Sequence, residues 1–465
     1  MKKYFANLLL FLVIAASCSQ PTTTEIPVIS VTGGQLMGVL TDSTNVVSYK
    51  GIPYAAPPVG ELRWKRPQPV IPWDTVMIAD TFGKIAIQGD FQPEETWFQE
   101  FYWMGKPEKS EDCLYLNVWT PATAVAKPSE KLPVAMFIHG GAFNQGFSNE
   151  TPMDGDSWAK RGVVLVTINY RVGTMGFFSH PLLSAETEDG HSGNYGIYDQ
   201  LAALQWVKEN IAQFGGDPEN IMIFGESAGA QSVKLLSSSP LAIPMIKKAF
   251  IQSGGGIGDI AVSARTHEQA EAFGKEMMDC SGYTTLEAMR AASVEDIFAA
   301  EEKFKAEKNI QWLDFRPLQD DNLITESFAS ALLSGRLADV PIITSRTGDD
   351  SAFCNLDLLE RFCQVRDSLS DQPVYLLSFD RKLPGERPYS FKNLAFHDCD
   401  IWFSFGTLNR SWRPFTEADY RISNQLIDYL TNFAKYGTPN GPETTEVWDA
   451  YTKENPFVLH LDVNE

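Results

Sequence analysis

Ser227 stands at the centre of Gly225-Glu226-Ser227-Ala228-Gly229, and its neighbours decide what a serine there can do. The apolar run Ile221-Met222-Ile223-Phe224 reads as a short buried strand, and Ala228 onward reads as a helix. A serine at such a junction sits on a sharp, strained turn that lifts Oγ above the sheet edge, where it can attack an electrophile. Glycines two places before and two after it are needed because a side chain there would collide within the turn.

Such a serine needs a base, and the base an orienting acid, in the chain order Ser, acid, His. Of the six histidines (His139, His180, His191, His267, His397 and His460), only the last two leave room for both partners upstream. His460 lies in a terminal strand-like run, Pro456-Phe457-Val458-Leu459-His460-Leu461, and reads as structural. His397 follows a loop rich in Pro, Gly and charge, the kind of connection on which such bases sit. It is the base by elimination. Upstream, Phe137-Ile138-His139-Gly140-Gly141-Ala142-Phe143 leaves a strand as a loop of small residues, suited to aiming main-chain N–H groups at a developing oxyanion. Gly141, Ala142 and Ala228 are the expected donors. His139 reads as an anchor of that loop.

These groups must be positioned by a scaffold. Apolar, β-branched runs recur at 134–138, 163–168, 221–224, 249–252, 340–344 and 374–379, with helical patterns between them. This is how a mostly parallel sheet covered on both faces reads. The stretch 198–213 sets Leu201, Leu204, Val207 and Ile211 on one helical face. The expectation is an α/β protein with one domain over 28–465, preceded by a tether over 18–27 and a leader over 1–17. In the leader, Lys2 and Lys3 precede an apolar run from Leu8 to Ala16 that is too short to span a bilayer. Ala15-Ala16-Ser17-Cys18 reads either as a lipoprotein cleavage site, with lipid on Cys18, or as an ordinary secretory one. The balance of 44% apolar and 21% charged residues is that of a globular chain. A net charge of −21 argues against nucleic-acid partners. Cys113, Cys280, Cys354, Cys363 and Cys399 match no zinc or redox spacing, and Cys354 could reach Cys363 across a short loop.

The chain resembles the type-B carboxylesterase family, the carboxylesterase and cholinesterase branch of the α/β-hydrolases. The segment 214–229 fits the family's serine signature, and Glu111-Asp112-Cys113-Leu114-Tyr115-Leu116-Asn117-Val118-Trp119-Thr120-Pro121 fits its second signature. Gly51-Ile52-Pro53-Tyr54-Ala55, Asn169-Tyr170-Arg171, Asn194-Tyr195-Gly196 and Asn432-Phe433-Ala434-Lys435 follow in the family's order. The resemblance implies Ser227 as nucleophile, His397 as base, and Gly141, Ala142 and Ala228 as the oxyanion hole. It implies a buried acid at Glu226, with either a structural or an electrostatic role. It also implies ion pairs Arg63–Glu111 and Arg171–Asp199, and neither metal nor organic cofactor.

The chain departs from the family in three places. At the acid it reads Thr347-Gly348-Asp349-Asp350-Ser351 where the family has Asp-Glu-Gly, which puts Asp350 on the catalytic position and leaves Asp349 as the alternative. The interval from Asp350 to His397 is short, so a helical wall is reduced and the site should be more open. No cysteine lies near 82–88 to pair with Cys113, so that thiol should be free. The aromatic stretch 91–103 would then be either a mobile flap or packing at the rim. The function expected is a serine carboxylic-ester hydrolase working through an acyl-enzyme. The alternatives are a silent surface-binding member of the fold, or an esterase for acyl groups on polysaccharide. Membrane contact would come through the N-terminal lipid alone.

Overall fold

The computed structural model describes residues 26–463, apart from 44, 103–106, 127–128, 259–262, 264, 312, 351–353, 443 and 445. The leader, Cys18 and most of the tether thus lie outside the described residues, as does Trp103. Among the described residues thirteen strands form two sheets: β1 (Ile29–Val31), β2 (Gly34–Met37), β3 (Val39–Leu40), β4 (Val46–Pro53), β5 (Met77–Ile78), β6 (Tyr115–Pro121), β7 (Leu132–Ile138), β8 (Val164–Ile168), β9 (Gly216–Glu226), β10 (Lys248–Gln252), β11 (Ile342–Thr347), β12 (Val374–Phe379) and β13 (Leu459–Leu461). β1, β2 and β5 make a small sheet near the N-terminus. The remaining ten run in the order β13-β12-β11-β10-β9-β7-β8-β6-β4-β3. From β8 through β13 all pairings are parallel, and β6, β4 and β3 add an antiparallel edge.

The central strands are apolar at nearly every position because both sheet faces are covered. Side chains alternate between two cores. Val134, Met136, Ile138, Ile221 and Ile223 face one, and Ala135, Phe137, Met222 and Phe224 face the other. The helix Tyr195–Asn210 packs on the first face through Leu201, Leu204 and Val207, while Glu417–Tyr436 covers the second through Leu426, Leu430 and Phe433.

The first of these helices begins at Tyr195, earlier than the pattern over 198–213 suggests, and passes into a 3-10 turn at Ile211. Gly196 hides that start by looking like a breaker. It is glycine because a Cβ there would lie 2.4 Å from the Arg171 carbonyl oxygen. Likewise β11 runs on to Thr347 because its pairing with β12 continues through Ser345, Arg346 and Thr347, while β9 begins at Gly216, which pairs with Leu132 ahead of an irregularity that precedes Ile221.

Register aligns the carboxyl ends that matter. Ile138 of β7 pairs with Gly225 of β9, and Gln252 of β10 pairs with both Glu226 of β9 and Ser345 of β11. The loops leaving β7, β9, β11 and β12 therefore open on one rim, where parallel α/β sheets bind ligands. Between β12 and His397, residues 380–396 carry neither helix nor strand.

Candidate active site

The turn between β9 and the helix Ala228–Ser238 holds Ser227 at φ 55°, ψ −119°, a left-handed conformation that is costly for a serine. It persists because the chain around it leaves no alternative. A Cβ at Gly229 would stand 2.0 Å from the Ile138 oxygen, and one at Gly225 would stand 2.5 Å from the Gly229 carbonyl carbon. Ser227 N–H donates to the Gln252 carbonyl at 3.0 Å, which ties the turn to the end of β10.

His397 arrives from the loop after β12. Its Nε2 lies 2.8 Å from Ser227 Oγ, and its Nδ1 lies 2.5 Å from Asp350 Oδ2, a residue 47 positions earlier. The Asp350 side chain is 1% exposed and that of His397 is 16% exposed, so acid and imidazole are shielded while Nε2 faces the cavity. Asp349 points elsewhere. Its Oδ2 accepts from Ala395 N–H at 2.8 Å, and its own N–H donates to the Ala395 carbonyl at 3.0 Å. The two adjacent aspartates thus divide the work: one meets the imidazole, and the other stitches the acid loop to the histidine loop.

The small-residue loop after β7 bends through positive φ at Gly141 (96°), Ala142 (55°) and Phe143 (60°). A Cβ on Gly141 would meet the Gln145 oxygen at 2.1 Å, and one on Gly140 would meet Glu226 Oε2 at 2.9 Å. The N–H groups of Gly141, Ala142 and Ala228 have no acceptor among the described residues, and all three residues line the cavity that holds Ser227. His139 is buried, stacks on Tyr170 at 4.2 Å, and bonds the Gly140 oxygen through Nδ1. Burial drops its pKa to about 4, so it stays neutral and supports the loop.

The cavity measures about 490 Å³. Trp97, Phe101 and Tyr102 form one wall; Trp97 meets His397 edge-on at 6.4 Å, and Phe101 stacks on Trp402. The segment bearing them is held by Glu100 and Arg413, a bidentate pair at 2.7 and 3.0 Å with both side chains wholly buried. Of the two readings of this segment, packing at the rim is the one these contacts favour. Gln231, Ser253 and Arg316 also line the cavity.

The acid side is richer than the sequence suggests. Glu226, 1% exposed, sits with Oε1 3.5 Å from His397 Nε2, and burial raises its pKa far above the usual range, with Asp398 adding to the effect. Asp398, held at φ 71°, brings Oδ1 to 3.4 Å from the same nitrogen. Burial lifts Asp400 to about 7 and Glu150 to about 8. His397 responds to this field. Burial opposes its protonation, but Asp398, Asp350 and Asp400 outweigh it and bring the imidazole to about 9.

A sequence model of the carboxylesterase family matches residues 25–372 and 359–465. The chain belongs to the carboxylesterase family. It is 33% identical to the para-nitrobenzyl esterase of Bacillus subtilis (strain 168), over 91% of this chain and 92% of that one. It is 28% identical to the cholinesterase of Mus musculus, covering 90% and 80% respectively. A solved thermophilic PNB esterase superposes with a TM-score of 0.79 at 28% identity, over 94% of this chain and 96% of that one. The chain is accordingly a carboxylic-ester hydrolase with the α/β-hydrolase fold.

Within this esterase the ion pairs Arg63–Glu111 and Arg171–Asp199 are both formed and bidentate. Cys113 is buried and free; Cys354 and Cys363, which a short loop could have bridged, are also buried and free. His460 lies in β13 and bonds Asp380, away from the site. The sequence reasoning missed Asp398, Asp400 and Glu150. Asp398 and Asp400 follow His397 in sequence, but nothing in that spacing says which way their carboxyls turn, and Glu150 enters from a loop without any local mark.

Proposed function

We propose that Ser227 is the nucleophile, His397 the general base and Asp350 the orienting acid of this esterase. The observation that supports this most is the continuous chain Asp350 Oδ2, His397 Nδ1, His397 Nε2, Ser227 Oγ in a cavity with three unengaged N–H groups. His397 Nε2 takes the hydroxyl proton as Oγ attacks the ester carbonyl. The oxyanion is met by the N–H groups of Gly141, Ala142 and Ala228, and the protonated imidazole then gives its proton to the leaving alcohol. Water activated by the same nitrogen releases the acid from the acyl-enzyme. Glu226 acts electrostatically, because its carboxyl faces the nitrogen that becomes charged.

The walls suit esters with one apolar arm against Trp97, Phe101 and Tyr102. The helix-free stretch 380–396 supports a site open enough for bulky alcohols. Lys2, Lys3, the apolar run and Cys18 support export and an N-terminal lipid anchor. Exchange of Ser227 for Ala should lower turnover by on the order of 10⁶, the scale seen when a triad nucleophile is lost. An ester panel graded in acyl and alcohol size, run on the same preparations, checks both parts. Near-native turnover in S227A refutes the mechanism, and a steep fall with alcohol bulk refutes the open site.

A further inference from the structure

Three atoms beside the reacting serine are also arranged as a set of ligands. Glu226 Oε1 and Asp398 Oδ1 are buried and meet no donor from any other group among the described residues, and the two carboxyls interact with each other. These oxygens lie 3.5 and 3.4 Å from His397 Nε2, and all three atoms fall within 4.8 Å of one another. Two carboxylates facing one another need something positive between them, either a shared proton or a cation.

The chemistry of the third member favours a cation of a particular kind. With Nδ1–H donating to Asp350, the neutral imidazole presents a lone pair at Nε2, and a cation bound there must displace the proton that the surrounding carboxylates favour. A carboxylate behind an imidazole that binds metal through its other nitrogen is the usual way of orienting and strengthening a zinc ligand. Zinc takes nitrogen and carboxylate oxygen at about 2.0–2.2 Å in tetrahedral geometry, which separates ligand atoms by about 3.3–3.6 Å. The two nitrogen–oxygen separations, 3.5 and 3.4 Å, fall within that interval, and the two oxygens lie within 4.8 Å of each other. Glu226, His397 and Asp398 all line the cavity, so an ion can reach them from solvent.

We infer that Glu226, His397 and Asp398 form an inhibitory site for a zinc-like divalent cation that takes up the Nε2 lone pair and so releases Ser227 from its base. Binding and base catalysis compete for one lone pair. The inhibitory part rests on His397 being the base of the esterase; the binding part does not.

Chelator-treated full-length protein dialysed against Zn²⁺, with bound metal and hydrolysis of p-nitrophenyl acetate read on the same samples, tests this. Wild type and S227A should each bind one more zinc per chain than D398N and E226Q. Asn is tolerated at the positive φ of position 398, and Gln preserves the shape of residue 226. Losing a ligand should weaken binding at least as much as the roughly 10–100-fold that follows loss of a supporting hydrogen-bond partner. Wild-type turnover should fall in step with occupancy of that site and return with EDTA. Equal zinc content in wild type, D398N and E226Q overturns the site, and full turnover at full occupancy overturns the inhibition. A wild type without esterase activity counts against the catalytic reading alone, because S227A still reports binding.

Discussion

At the scale of single residues, the field around His397 sets the working pH. A general base must be neutral, so with the imidazole raised to about 9, kcat/KM in the presence of chelator should climb with pH until that group has lost its proton. Asp398 is the largest of the charges raising it. Removing that charge in D398N should therefore move the rising limb to lower pH, and a kcat/KM–pH profile with an unshifted limb would refute the assignment. The same position marks what sequence reading reaches. The Ser227 turn and the glycine loop are legible because local steric demands force particular residue types at particular spacings. Asp350 is legible only as one of two neighbours, since the choice depends on which carboxyl the loop turns inward. The role of Asp398 is hidden, because nothing local announces a positive φ in an aspartate or the approach of Glu226 from a strand far away in sequence.

At the scale of elements, the aromatic wall depends on one buried pair. Glu100 and Arg413 are wholly buried, and Arg413 also donates to the carbonyls of Pro384, Gly385 and Phe391, so one guanidinium joins the wall to the loop leading to His397. Removing one partner of such a pair strands a charge and costs about 3–5 kcal/mol. R413M should lower the urea midpoint accordingly and admit protease within 91–102. A midpoint equal to wild type would show that the segment is held by its rings alone. The strands and their order of appearance are legible from apolar runs. The ends of β9 and β11 are not, because β11 keeps its ladder through polar residues and β9 begins at Gly216, ahead of an irregularity before its apolar run.

At the scale of the molecule, the described residues contain no disulfide; Cys113, Cys354, Cys363 and Cys399 are buried thiols, and burial raises the Cys354 pKa to about 12. A native disulfide typically contributes about 2–4 kcal/mol, so its absence is measurable. Thermal midpoints with and without dithiothreitol should coincide, and a drop on reduction would reveal a bridge. The paired bonds between Asp349 and Ala395 carry a different consequence, one for anyone who recombines this enzyme with its relatives. They lock two distant stretches of chain in step, so a crossover that brings in 347–350 from one parent and 394–398 from another breaks a matched set. Chimeras that inherit both stretches together should keep their turnover, while those that split them should fold and yet lose their proton relay.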